Sequence, residues 1–146
     1  MEKLSRADAI WNRACDLDAT ASSPGDRALA ALLILHGLVM NGGVLHAVEC
    51  LGTQELADAM AGYRFFGFDG VAIMLTDAKA FTEVHDVYNL QDDFSLDDFA
   101  SADADFDKRY VTLIRDDSAL FARFAAYLLR NPSDFAPLQE VDHRRN

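Results

Sequence analysis

SPGDRALAALLILHGLVMNGG, residues 23–43, decides how the rest of the chain is read. Ser23 offers an N-cap oxygen, Pro24 takes the first helical position, and Asp26 puts a negative charge in the first turn. From Pro24 to about Met40 the residues are apolar nearly all round. That pattern predicts a helix buried inside a core rather than one lying on its surface. Asn41-Gly42-Gly43 ends it, because both residue types tolerate the left-handed backbone common at helix C-termini. The run Ala28 to Met40 is interrupted by His36 and Gly37 and falls short of the roughly 20 residues a membrane span needs. No membrane association is expected.

Helix signals continue on both sides. Ser5-Arg6-Ala7-Asp8 reads as a capping box opening a helix to about Asp18, with Ile10, Trp11 and Ala14 on one face. A short helix is predicted from Val44 to Leu51, with a cap at Gly52-Thr53 and a further helix from about Gln54 to Tyr63. Arg64 to Gly70 is rich in aromatics and glycine and reads as a turn packed on the core. Its run Tyr63, Phe65, Phe66, Phe68 suits core packing or a homodimer contact. Val71 to Phe81 is helical, with Val71, Met74, Leu75 and Ala78 on one face. Ser95-Leu96-Asp97-Asp98 is another capping-box match. Ser101 is read as the cap of a helix from Ala102 to Arg115, whose face is Phe106, Tyr110, Leu113 and Ile114. The last helix, Ser118 to Arg130, groups Leu120, Phe121, Phe124, Tyr127 and Leu128 and stops at Asn131-Pro132. No strand alternation is evident. The expected fold is all-α, a compact multi-helix bundle with a buried central helix, forming one domain over residues 1–146.

Charge is the second informative feature. Thirteen basic residues against 24 acidic ones give a net charge of −11. Nine acids fall between Ala80 and Asp107 with no lysine or arginine among them: Glu83, Asp86, Asp92, Asp93, Asp97, Asp98, Asp103, Asp105 and Asp107. Without that segment the chain has 13 basic and 15 acidic residues, a net of −2. Nucleic acid is excluded as a direct ligand of this face, since its phosphates would be repelled. The complement is a basic protein. Carboxylates one helical turn apart, such as Asp93 and Asp97 or Asp103 and Asp107, are separated by about 6 Å of axial rise. Phosphates along one DNA strand repeat every 3.4 Å or so. Phe94, Phe99 and Phe106 are interleaved and would anchor the segment. The bland alternative is a solvated face, with acids placed at helix N-termini where the macrodipole favours them.

Chemistry-bearing clusters are thin. His46 and Cys50, four apart and flanking Glu49, would share a helical face, but His36, His85 and His143 stand apart from them. A structural zinc takes four ligands and a catalytic one three plus water, so no metal site is expected. As nucleophile and base, Cys50 and His46 would define a small enzyme; in an apolar helix the pair reads more simply as structure. Asn41-Gly42-Gly43 lacks the lysine and longer glycine pattern of a phosphate-binding loop and reads as a helix corner. Cys15 and Cys50 have no paired spacing, which suits free thiols in a reducing, cytoplasmic setting. The amino terminus MEKLSRADAIW has no apolar stretch of the kind found in secretory signals. No cofactor is expected.

The order of two features carries a family resemblance. Asn41-Gly42-Gly43 lies between an apolar helix and a second helix. Further on, an acidic helix containing Tyr110 precedes Ala126-Tyr127-Leu128-Leu129-Arg130, Asn131-Pro132 and Phe135. Over roughly Ser23 to Phe135 the chain resembles a bacterial domain family that includes the DNA-mimic proteins. The resemblance implies an all-helical fold. For at least some members it also implies an acidic surface that imitates DNA phosphates and blocks a DNA-binding protein. The family usually has an aromatic residue directly after the NGG, where this chain has Val44, so packing at that corner is expected to differ. The reading that follows is binding rather than catalysis: an acidic regulator whose partner-facing residues are Asp86, Asp92, Asp93, Asp97, Asp98, Asp103, Asp105 and Asp107. An immunity or antitoxin-type inhibitor of a basic toxin or nuclease would use the same face.

Overall fold

The computed structural model describes residues 5–16, 22–85 and 96–138. The elements are α1 (Arg6–Asp16), α2 (Pro24–Gly42), α3 (Val44–Cys50), α4 (Thr53–Phe65), α5 (Asp69–Val84), α6 (Leu96–Leu113), α7 (Asp117–Arg130) and a 3₁₀ turn at Pro132–Asp134. The described residues form helices and no strands. One hydrophobic cluster runs from Ile10 to Phe135.

The central helix is α2. Leu29, Leu32 and Leu35 are fully enclosed, as its all-round apolar sequence requires. It packs most extensively on α4, where the backbones come unusually close. A Cβ on Gly62 would lie 2.4 Å from the Ala28 carbonyl oxygen, so only glycine fits there. Val71, Met74, Leu75 and Ala78 of α5 are all buried, the face that their spacing predicts. On α7 the buried face is Leu120, Phe124 and Leu128, with Phe121 and Tyr127 half-covered. Tyr63 and Phe66 of the aromatic run are core residues, and Phe65 and Phe68 pack against that core.

Helix ends account for most departures from the sequence pattern. Ser5 caps α1 as expected, its Oγ accepting from Asp8 N–H at 3.0 Å. At α4 the cap is Gly52, whose N–H donates to Glu55 Oε1 at 3.1 Å; with no side chain, glycine supplies half of a capping box. α6 opens at Leu96, a turn and a half before the expected start, so Ser101 lies inside the helix rather than capping it. Two acids in its first turn, Asp97 and Asp98, favour that earlier start. Leu113, expected in the core, is exposed and lies against Gly70. α7 is capped by Asp116, whose carboxylate accepts from Ala119 N–H at 2.9 Å, so the helix begins just before Ser118. The Ser95 cap falls outside the described residues.

Among the described residues the charged or titratable side chains of Asp26 and His36 are buried, and each joins several elements. Asp26 is enclosed. Its Oδ1 accepts from Arg13 Nη2 at 2.7 Å and its Oδ2 from Ala136 N–H at 2.8 Å. Arg13 also reaches the carbonyls of Ala136 and Pro137. The acid that sequence placed merely in a first turn thus ties α1 and α2 to the segment after α7. Phe135 completes the tie by packing on Phe66, Phe124 and Tyr127.

His36 is the second. Its Nδ1 lies 2.6 Å from the Tyr110 hydroxyl and its Nε2 lies 2.6 Å from Asp117 Oδ1. Tyr110 in turn is 2.7 Å from the Tyr63 hydroxyl. Proton counting assigns the roles. Tyr63 donates to Tyr110, Tyr110 donates to Nδ1, and Nε2–H donates to the Asp117 carboxylate. Three protons meet three acceptors. Burial pushes the Tyr63 phenol well above its ordinary range, and the Tyr110 oxygen it donates to adds to that. Burial also raises Tyr110, opposed by the bond it accepts from Tyr63 and aided by the Asp117 charge.

The chain of donors predicts an order of damage. Tyr110→Phe leaves both the Tyr63 hydroxyl and His36 Nδ1 unpaired in the interior and should cost about 2–3 kcal/mol. Tyr63→Phe removes only the terminal donor and should cost about 1 kcal/mol. Urea denaturation measures both; a Tyr63→Phe loss equal to that of Tyr110→Phe would contradict the assigned direction.

Candidate functional site

The site is built on α6, and the periodicity of that helix divides its acids. At about 100° per residue, Asp97, Asp98 and Asp105 share one outward arc, whereas Asp103 and Asp107 lie on the opposite side, beside the buried face. Burial follows the same division: the first three are exposed, the last two half-covered. Asp86, Asp92 and Asp93 lie outside the described residues. Five of the eight acids assigned to a partner are therefore placed, three of them along a solvent-facing stripe.

α6 is held to the rest of the molecule at few points. Tyr110 is its one fully buried residue. Phe99 and Phe106 pack on Phe81 of α5, both with ring centroids 5.7 Å away. Arg109 pairs with Asp77 of α5 at 3.0 Å. Such an exposed ion pair contributes at most about 1 kcal/mol, so the aromatic contacts and Tyr110 fix the helix. Most of its circumference is left to solvent.

Asp107 has a role that the sequence did not disclose. Its Oδ1 accepts the Val44 N–H at 2.8 Å, which puts a carboxylate on the first turn of α3 directly after the NGG. Gly43 has φ +93° and ψ 173°, a backbone region open essentially to glycine alone. A Cβ there would stand 3.0 Å from both Asp107 oxygens. Gly42 is covered by the His46 imidazole, which a Cβ would overlap at 2.3 Å. Val44 itself is fully buried, so in place of a ring this chain puts a β-branched residue into the core there. Asp103, one turn before Asp107, has its carboxyl raised above the usual range, first by partial burial and then by the like charge of Asp107.

His46 and Cys50 do share a face of α3, with Sγ 3.6 Å from Nε2 and 3.7 Å from Nδ1, both side chains exposed. Among the described residues no group of three or more His, Cys, Asp or Glu is arranged to hold a metal. His36 is committed to Tyr110 and Asp117, and His85 lies beside the Phe81 ring at 4.9 Å. Cys15 and Cys50 are both free and exposed. No helix of the described residues is long and apolar enough to cross a membrane.

This arrangement defines a small all-helical protein that displays carboxylates on a peripheral helix. The family model for DMP19-like proteins matches residues 20–131, most of the chain, and the protein belongs to that family. No curated protein and no solved structure matches it.

The glycine corner yields a paired test. Gly43→Ala places a Cβ in a strained backbone region against Asp107 and should destabilise the protein by about 1–3 kcal/mol. Gly37, inside α2, has open space where a Cβ would stand, with nothing within 4 Å of it. Gly37→Ala should therefore stabilise by up to about 1 kcal/mol. Thermal melts of the two variants moving in the same direction would refute this role for the corner.

Proposed function

We propose that this protein is an acidic regulator that mimics DNA and masks the basic DNA-binding surface of a partner protein. The observation that carries the reading is the stripe of Asp97, Asp98 and Asp105 on the open side of α6. Asp98 and Asp105 are seven residues apart, about 10 Å along the axis, close to three phosphate steps of one DNA strand. Asp86, Asp92 and Asp93 precede the stripe in sequence and add to the negative charge of the segment, while Asp103 and Asp107 lie on the other side of α6, toward the NGG corner. Family membership supports the same reading. Attraction to a basic surface steers the encounter and weakens as salt screens it.

A partner retained from native lysate at low salt provides the assay. Asp97, Asp98 and Asp105 changed together to Asn should slow association about tenfold and flatten its salt dependence, with the helical circular dichroism unchanged. The matched control neutralises Asp16, Glu49 and Asp69, which are exposed elsewhere; Asp8 and Glu55 are left intact because they hold helix caps. Equal losses in the two variants would mean that bulk charge alone drives binding and would defeat the proposal.

A further inference from the structure

The NGG corner and α6 enclose a depression of about 350 Å³ lined by Val39, Met40, Asn41, Gly42, Gly43, Asp107 and Val111. Its lips are apolar and open: Met40 is 54% exposed and Val111 52%. Its inner end is electronegative, because the full charge of Asp107 outweighs the partial positive charge of the α3 N-terminus that it caps, and the end of α2 opposes that partial charge. The Asp107 carboxylate lies there, half-covered and close to Gly43. The C-terminus of the 19-residue α2 also ends there, with no basic residue in its last turn. A helix C-terminus carries about half a negative charge on its last carbonyls and favours a nearby cation. None of the described lining residues is basic.

The geometry points to a notch for one arginine side chain of the partner protein, its guanidinium on Asp107 and the end of α2, its methylene stem across Met40 and Val111. This deepens the proposed function and rests on it for the identity of the partner, though not for the chemistry of the notch. Arginine fits better than lysine because its planar fork can bond a carboxylate and carbonyls together, and its stem covers apolar surface. A half-buried carboxylate strengthens such a contact relative to the open stripe of Asp97, Asp98 and Asp105. Asp103, held above its usual range by the same crowding of charge, would be relieved by the incoming cation. Arginine is also among the residues that most often dominate interface energetics.

The test needs no partner. Nα-acetyl-arginine methylamide and its lysine counterpart are titrated into ¹⁵N-labelled full-length protein while amide shifts are followed. The arginine probe should give saturable shifts at Gly42, Gly43, Val44 and Val111, larger than those from lysine. Asp107→Asn keeps an oxygen for the Val44 N–H while removing the charge, and should weaken the response about threefold, the order expected for one partly exposed charge pair. Met40→Ala touches no hydrogen bond and should weaken it as well, so the test holds even where Asp107→Asn disturbs the corner. Neutralising Asp97, Asp98 and Asp105 should leave these shifts in place, which separates this outcome from failure of the mimicry itself. Equal responses to both probes, spread along the α6 stripe, would overturn the notch, as would shifts unchanged by both Asp107→Asn and Met40→Ala.

Discussion

The hydrogen-bond chain from Tyr63 through Tyr110 and His36 to Asp117 joins α4, α6, α2 and α7. The other contacts of α6 among the described residues are peripheral: aromatic packing on α5, an exposed ion pair, Leu113 against Gly70 and the Asp107 cap on α3. Buried donors and acceptors that are fully matched hold one arrangement and penalise others, because any slippage strands a polar group in a low dielectric. Asp117 keeps the chain in touch with water; its side chain is 77% exposed, and as an anion it is favourably placed at the N-terminus of α7. The position of the acidic helix is thus set from inside the bundle.

That anchorage suits a helix that repels itself. Like charges one turn apart each cost a few tenths of a kcal/mol, and α6 has carboxylates on two of its sides. One set faces solvent. The other, Asp103 and Asp107, is drawn toward the NGG corner, where Asp107 replaces water at the Val44 N–H. The same residue is therefore both a structural cap and the charged end of the proposed notch. A buried carboxylate, Asp26, does comparable work elsewhere in the bundle by clamping Arg13 and the segment around Phe135.

Sequence patterning resolved the helices because apolar spacing and caps agree over most of the chain. The burial of α2, the α5 face and the stop at Asn131-Pro132 all follow from local residues. What escaped was long-range pairing. His36 reads in sequence as an interruption of an apolar run and as a histidine apart from His46, yet an imidazole inside such a run must find partners, and Tyr110 and Asp117 are more than seventy residues away. Asp26 looked like a helix-dipole acid until Arg13 and Ala136 came into contact with it. The sequence offers two helix starts in this stretch, the capping-box match at Ser95 and the cap-like Ser101; α6 opens at Leu96, where Asp97 and Asp98 favour the first turn, and runs through Ser101. Leu113 was assigned inward by periodicity, but α6 has too little cover at its C-terminal end to enclose it. The acidic segment stood out by composition alone; its division into a stripe and a corner needed the helix phase and the Val44 contact.

The central claim is that the carboxylates of α6 occupy the place of DNA phosphates on a partner. Competition measures this directly. A fluorescently labelled duplex bound to the captured DNA-binding partner is titrated with the protein, and anisotropy is followed. Mimicry predicts that the duplex is released as the protein binds, and that release weakens as salt rises. A stable ternary complex, with duplex and protein bound to the partner at once, would contradict it.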